Sequence, residues 1–322
     1  MKRYILKRIG LMLVSAFIIM TMLFVLIRLL PNPIVSTMGG FEEATIRMRE
    51  AWGYHKPLIV QYGIFLKKVF TEWDWGFCTQ MGTFLQPVTE YLSDKLPATV
   101  YVNVLALVIS FPLGIIFGII AAVFKNKWQD QIINVFIMIF ISVPSFVYAF
   151  LLQYYIGFRL GWCPLVMKGG YDYFSWPMLH SVIMPVLALS FGIIAGDMRL
   201  VRAELTETLT SEYMLLARTK GLTKKQATFR HAFRNSLVPL LPTFMADVIY
   251  IISGSMIIEQ IFAIPGIGKV FVTSIQTRDY NVFMVTAMFY CAIGLVAQLL
   301  FDLSYGIIDP RIRIGGGKNN EL

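Results

Sequence analysis

Long apolar runs alternate with polar segments along the chain, and the lengths of these runs predict helices that cross a membrane. Six runs are long enough to span a hydrocarbon core of about 30 Å as α-helices. The runs cover residues 9–30, 98–124, 132–158, 178–195, 237–258 and 282–308. The fourth contains His180 and Pro185, which membrane helices tolerate when neighbouring groups satisfy the freed carbonyl. The pattern therefore predicts an all-α membrane protein with six transmembrane helices.

A polar stretch, residues 212–242, separates two strongly apolar ones and predicts a helix, a sharp turn and a second helix. Ser211 is placed to cap the first helix, and Gly221 supplies the left-handed residue at which that helix ends. Thr223 and Gln226 form a T-x-x-Q capping box that begins the second helix. The stretch carries six basic residues before its last apolar part: Arg218, Lys220, Lys224, Lys225, Arg230 and Arg234.

The composition excludes an ordinary soluble domain. Of 322 residues, 57% are hydrophobic and only 15% are charged. The net charge of +9 matters mainly through its placement, because Lys and Arg concentrate on the cytoplasmic side of membrane proteins. With six spans, 17 of the 28 Lys and Arg residues fall on the side of the termini and of residues 199–234. Both termini and the polar stretch are therefore expected in the cytoplasm.

The predicted organisation has four parts. Residues 1–30 form an N-terminal anchor helix, since the apolar run is longer than that of a secretory signal and no small-x-small cleavage site follows it. Residues 31–97 form an extracellular loop with a helix at 42–52. Residues 98–308 form a five-helix core that includes the cytoplasmic region 199–236, and residues 309–322 form a cytoplasmic tail.

The three cysteines make no metal or redox motif at their wide spacing. Cys291 lies in an apolar run and is expected to be a small core residue. Cys78 and Cys163 both fall in external loops in this topology, which leaves a disulfide between them open.

Motifs for catalysis and for nucleotide binding are missing. The string at 266–269, GIGK, has Ala263 in place of the leading glycine of a phosphate loop and Val270 in place of its Ser or Thr. The three histidines show no metal-ligand spacing. We therefore expect no catalytic residue, cofactor or metal in this chain, and energy for any pumping must enter from another subunit. An alternative explanation of the basic stretch is simple positive-inside topology. Nucleic-acid binding by this stretch is disfavoured, because a membrane span tethers it on each side.

Two carboxylates fall inside predicted spans, Asp247 in the fifth and Asp302 in the sixth. A charge in lipid is costly, so each is expected to face the protein interior or a wet path. Two alternatives stay open: each carboxylate is held by a polar or cationic group on a neighbouring helix, or it lines a path.

The residues of the polar stretch resemble the loop that contacts the ATPase in one family of membrane proteins. The order Glu212-Tyr213, then 217–222 (ARTKGL), then 230–239 (RHAFRNSLVP), is similar to that loop in the first permease of oligopeptide, dipeptide and nickel ABC importers. The general EAA pattern is only partly kept, with Leu215-Leu216-Ala217 in its place. Further similar motifs run in order from 56–58 (KPL) through 142–146 (SVPSF) and 262–268 (FAIPGIG) to 309–313 (DPRIR).

This resemblance implies a type I importer permease that pairs with a similar second permease, two ATP-binding subunits that bind ATP and Mg, and an extracytoplasmic peptide-binding protein in a bacterial cell membrane. It implies a coupling helix that contacts the ATPase through Ala217, Arg218, Thr219, Lys220, Gly221, Leu222 and Thr223. It also places the translocation path near Asp247, Ser253, Ser255 and Glu259. The alternatives are a nickel or other small-solute importer of the same build, and a membrane-anchored regulatory protein that binds nucleic acid or lipid.

Overall fold

The computed structural model describes residues 2–30, 42–83, 85–170 and 172–308, and these form helices joined by turns. Within those ranges the only β-type pairing is one isolated bridge between Phe77 and Pro87. The helices are α1 (Lys2–Leu29), α2 (Glu42–Ala51), α3 (Leu58–Lys67), α4 (Val88–Val123), α5 (Trp128–Ser142), α6 (Ser145–Leu152), α7 (Trp176–Leu209), α8 (Glu212–Thr219), α9 (Lys224–Ala227), α10 (Phe233–Leu237), α11 (Leu241–Tyr250), α12 (Met256–Ile261), α13 (Ile267–Thr277) and α14 (Tyr280–Ile308).

The two long helices α4 and α7 pack against each other at the centre of the molecule. A Cβ atom added to Gly114 would lie 2.5 Å from Cβ of Asp197, and one added to Gly118 would lie 2.6 Å from Cβ of Val201. Small residues allow such close approach in membranes, where packing rather than water exclusion holds helices together. The two glycines therefore set the distance between α4 and α7.

The third predicted span, residues 132–158, is not one straight helix. Helices α5 and α6 meet at a bend of 99° between Ser142 and Ser145. Pro144 has no N–H to continue the helix, and Val143 before it is extended, with φ −88° and ψ 125°. The apolar run is continuous through this bend, so hydrophobicity by itself does not indicate it.

The fifth predicted span, residues 237–258, is also divided. It contains the last residue of α10, a short 3-10 turn, α11 and the beginning of α12. Pro242 lies in the first turn of α11, and Gly254, with φ +66°, turns the chain before α12. A continuous helix over this run was therefore a wrong prediction, because helix-breaking residues interrupt an uninterrupted apolar sequence.

Four described helices are long and apolar enough to cross a membrane, and the bent α5–α6 pair makes up to five. The four cover Ile5–Leu29, Val88–Val123, Trp176–Leu209 and Tyr280–Leu303. Helix α4 begins before the predicted 98, and α7 continues well beyond the predicted 195. The number of six spans stays a prediction.

Trp52, after α2, and Phe65 of α3 pack against Met20 and Phe24 of α1 and against Met284 of α14. Helix α2 lies where the sequence predicts one, and Phe24 of α1 stacks 4.9 Å from Phe65 of α3, measured between ring centroids. Asp279, fully buried just before α14, accepts the backbone N–H groups of residues 79, 80 and 81 at 2.7, 2.8 and 3.1 Å. One carboxylate thereby fixes a loop that lies 200 residues away in the chain.

All three cysteines are free, so the disulfide between Cys78 and Cys163 that the topology left open does not form. Cys78 is buried among Val88, Val282 and their neighbours, whereas Cys163 packs against a different cluster around α4 and α7. Burial, followed by the nearby Asp279 carboxylate, raises the pKa of the Cys78 thiol to about 12.

Cys78 is therefore expected to resist alkylation in the folded protein. A raised pKa keeps the thiol protonated, and the thiolate is the nucleophile, so the rate should stay low from pH 7 to about 10, where an ordinary thiol reacts rapidly. Intact-mass measurement with a maleimide, without reductant, tests this. All three cysteines should react after denaturation, and two thiols that stay unmodified there would indicate a disulfide.

Candidate functional site

The turn between α8 and α9 has the geometry that the sequence predicts. Gly221 has φ +90°, and a Cβ added there would meet no atom within 4 Å. The Thr223 N–H donates to Oε1 of Gln226 at 3.1 Å, and the Gln226 N–H donates to Oγ1 of Thr223 at 3.3 Å. The predicted side-chain cap at Ser211 is wrong, because its hydroxyl donates instead to the carbonyl of Thr208 at 2.6 Å.

Helix α8 divides the predicted coupling residues into an inward and an outward set. Ala217 is buried with Met214 against Ala122 of α4 and Leu205 of α7, and Leu222 packs on the same cluster. Ala217, which the resemblance places in the contact with the ATPase, is thus buried within this chain. The exposed members of the set are Arg218, Thr219, Lys220, Gly221 and Thr223.

Two exposed leucines on the outer face of α8 were not among the predicted site residues. Leu215 and Leu216 are 66% and 55% exposed, directly beside the cations of Arg218 and Lys220. The sequence could have predicted this exposure. Met214 and Ala217 are three residues apart and share the buried face of the helix, so the two residues between them lie on the opposite face. The outward face of α8 is thus apolar in its middle and cationic at its end.

An ion pair joins Arg202, near the C-terminal end of α7, to Asp130 in the first turn of α5. The Arg202 guanidinium donates twice to Asp130, from Nε at 2.6 Å and from Nη2 at 2.9 Å. The backbone N–H of Asn126 and the side-chain amide of Asn134 donate to the same carboxylate, both at 2.9 Å. Asp130 is buried and fully engaged, so the pair joins α4, α5 and α7 next to the cluster on which α8 packs.

The two intramembrane carboxylates of the sequence have different surroundings. Asp302 accepts from Arg8 of α1 at 2.9 Å, which confirms for this residue the alternative of a cation on a neighbouring helix. Asp247 lies half-buried on α11, near enough to Asp197 of α7 for the two carboxylates to repel each other. Asp197 is buried against Gly114, and its Oδ2 has no hydrogen-bond partner in the part of the chain that the structure describes.

Asp197 was missed because the fourth span was predicted to end at residue 195. The apolar pattern in fact continues through Met198 and Val201, both buried, so a longer helix would have included the carboxylate. The acids Asp197 and Asp247 thus lie near one another where α4, α7 and α11 meet, and Phe244 of α11 packs 4.2 Å from Phe111 of α4 between ring centroids.

Glu259, predicted near a path, is engaged in contacts between helices. Its carboxylate accepts from the Thr99 hydroxyl at 2.9 Å and from the Lys269 N–H at 3.0 Å. Thr99 also accepts the Ile267 N–H at 2.8 Å. A protein carboxylate therefore occupies the beginning of α13, where a phosphate loop would hold its anion. Ser253 and Ser255 make local bonds, to the carbonyl of Tyr250 and from the N–H of Ile258.

No group of three or more His, Cys, Asp or Glu side chains in the described ranges is arranged to hold a metal ion.

Two family descriptions match the chain. One, a binding-protein-dependent transport system inner membrane component, matches residues 114–314. The other, the N-terminal part of such a membrane component, matches residues 1–103. Together they account for most of α1 to α14.

Peptide transport permeases from three bacteria are similar to the chain over nearly its whole length. A dipeptide transport system permease protein, DppB, of Lactococcus lactis subsp. cremoris is 37% identical over 98% of this chain and 100% of the relative. DppB of Bacillus subtilis is 35% identical over 98% and 99%. An oligopeptide transport system permease protein, OppB, of Mycoplasma genitalium is 31% identical over 100% of this chain and 79% of the relative.

Among solved structures, the crystal structure of an amino acid ABC transporter with histidines superposes with a TM-score of 0.50. Its chain is 18% identical, and the match covers 67% of this chain and 92% of that chain. At this identity the likeness concerns the fold, and it agrees with the all-α permease-like fold expected from the sequence.

Replacing Glu259 by Gln is expected to lower the free energy of unfolding by about 1–3 kcal/mol, because an amide N–H₂ would face the donors of Thr99 and Lys269. The loss should appear as a lower thermal unfolding temperature of the purified protein in detergent, followed by tryptophan fluorescence. Glu207→Gln is the matched control, since Glu207 is exposed on α7. Equal unfolding temperatures for the two variants would contradict the role of Glu259 in joining α4, α12 and α13.

Proposed function

The chain belongs to the family of binding-protein-dependent transport system inner membrane components, and on that premise we propose that it is the permease subunit of an ATP-driven importer of peptides. One observation carries the proposal: permeases named for dipeptides align with 98% of the chain at 35–37% identity. An importer permease forms half of a translocation path and hydrolyses no ATP itself, in agreement with the missing nucleotide motifs.

The proposed assembly contains a second, similar permease, two ATP-binding subunits that hold ATP and Mg, and an extracytoplasmic peptide-binding protein. Both termini and residues 199–236 lie in the cytoplasm of a bacterial cell in this proposal. The distribution of Lys and Arg supports that orientation, because eight of them lie between residues 199 and 234.

We propose that the outer face of α8 and its turn form the contact with an ATP-binding subunit. Leu215 and Leu216 would fill an apolar groove, and Arg218 and Lys220 would pair with acids at its rim. Thr219, Gly221 and Thr223 complete the exposed surface. Ala217 and Leu222 serve the same contact from behind, by fixing α8 to the rest of the chain.

The way α8 is attached supports a mechanical role. Its inner face packs on the ends of α4 and α7, and the Asp130–Arg202 pair joins those helices to α5. A force on α8 would therefore move α4, α5 and α7 together, since neither a flexible linker nor a loose contact intervenes. Such rigid-body motion would open the spans alternately to the two sides.

For the translocation path we propose the region around Asp247, with Asp197 as its neighbour. Both lie within the apolar part of the molecule, where a carboxylate without a cation partner is costly unless it meets water or substrate. Ser253 and Ser255 follow in the turn after α11. Glu259 supports this region from outside the path, through its bonds to Thr99 and to the start of α13.

Gly221→Asp is expected to abolish peptide uptake and the stimulation of ATPase activity while the protein still inserts and folds. The open space around Gly221 accepts a side chain in the isolated subunit, but that side chain would intrude on the bound partner, and its positive φ is unfavourable. Uptake by cells and co-purification with the ATP-binding subunit measure the effect.

Gly170→Asp is the matched control for this variant. Gly170 also has a positive φ, +116°, and open space around its Cβ position, but it lies in the loop before α7, on the external side in the proposed topology. Its uptake should be close to normal. Normal uptake by the Gly221→Asp variant would contradict the proposed contact.

The purified chain alone should hydrolyse no ATP. Reconstitution in proteoliposomes with the ATP-binding subunits, the second permease and the binding protein should restore hydrolysis that a di- or oligopeptide stimulates. Turnover by the chain without partners would contradict its role as a transport subunit, and stimulation by nickel rather than peptide would contradict the substrate.

A further inference from the structure

A small cavity lies where the end of α1, helix α2, the residues Phe77, Thr79 and Leu85, and the start of α14 meet. Its volume is about 50 Å³. The wall is mainly apolar and aromatic, with Ile27, Met48 and Trp52 among its residues. Two buried polar atoms of the lining, Nη1 of Arg28 and Oγ1 of Thr79, have no hydrogen-bond partner among the described residues.

The Arg28 guanidinium is held in place by aromatic rings. Its central carbon lies 3.6 Å from the ring centroid of Tyr54 and 5.2 Å from that of Phe24. Arg49 approaches the same Tyr54 ring at 5.6 Å, so a second positive charge lies close by. The face of the Arg28 guanidinium is thus covered, while Nη1 at its edge keeps its donor capacity.

Asp279, which precedes the lining residue Tyr280, is already engaged. Oδ2 of Asp279 accepts three N–H groups from residues 79–81, including that of Thr79 itself. Asp279 is therefore not an acceptor for Nη1 of Arg28, which has none among the described residues. A buried donor without an acceptor is costly, and an anion that enters the cavity would remove that cost.

We propose that this cavity binds a carboxylate, and that the carboxylate is the free C-terminal group of a short peptide. A carboxylate matches the planar N–H edge of Arg28 with one oxygen and the Thr79 hydroxyl with the other. A phosphate group would bring additional oxygens against the part of the wall made by Ile27, Met48 and Phe77, whose side chains donate no hydrogen bonds. The identity of the ligand as a peptide rests on the proposed function, in which this cavity lies on the external side.

The test is ligand binding to the full chain in a maltoside detergent, which contains no phosphate. Trp52 in the cavity wall makes tryptophan fluorescence the readout. Acetate and the dipeptide Ala-Ala should each change the fluorescence saturably, at constant ionic strength, whereas Ala-Ala amide should not. Arg28→Gln should weaken binding of Ala-Ala by at least about tenfold, because a charge-assisted hydrogen bond is lost.

Two further variants separate a local effect from a change of fold or net charge. Thr79→Val keeps the shape and charge and should weaken binding several-fold. Arg278→Gln removes one charge from an exposed arginine after α13 and should leave binding unchanged. If Arg28→Gln does not fold, the comparison of Thr79→Val with Arg278→Gln decides.

Several outcomes overturn the proposal. Equal binding of Ala-Ala and its amide, unchanged binding by both cavity variants, or no binding of either acetate or Ala-Ala would each exclude the carboxylate site. Stronger binding of inorganic phosphate than of acetate would indicate a phosphate site. Binding of acetate but not of Ala-Ala would exclude the peptide as the source. The assay needs neither ATP nor partners, so its failure is distinct from a failure of peptide uptake.

Discussion

The close packing of α4 on α7 is the contact on which the other helices depend. Gly114 and Gly118 bring the two backbones so near that a single added methyl group would collide with Asp197 or Val201. A membrane interior offers no hydrophobic gain for bringing helices together, so close dispersion contacts must supply the attraction. Helices α5, α6, α11 and α8 then pack on this pair.

Buried carboxylates hold the ends of the helices together around this centre. Asp130 binds Arg202, Glu259 binds Thr99 and the start of α13, and Asp279 binds three N–H groups of a distant loop. Each satisfies a buried charge with donors that would themselves be costly to leave unpaired. Asp197, whose Oδ2 has no such donor in the described ranges, and Arg28, whose Nη1 has no acceptor there, depart from this rule. We propose substrate contacts near both of these residues.

The coupling segment combines a fixed inner face with an open outer face. Ala217 and Met214 bind α8 to the body of the protein, so the exposed Leu215, Leu216 and Arg218 present a surface of defined orientation. A contact of this kind transmits motion better than a flexible basic loop, because little of the movement is lost to rearrangement within the subunit. In the proposed contact, the same basic residues that suggest positive-inside topology would also pair with acids of the partner.

The sequence by itself determined whatever depends on neighbours along the chain. Apolar length predicts most of the long helices, because backbone groups in a bilayer must bond within their own segment. Gly221 and the pair Thr223–Gln226 predict their turn, because those bonds join residues three positions apart. Only the tertiary structure decided which face of α8 is open, where the apolar runs at 132–158 and 237–258 break, and which distant groups meet. Asp279 reaches residues 79–81 across nearly 200 positions, and Arg28 and Thr79 share one cavity, through contacts that leave no periodic trace in the sequence.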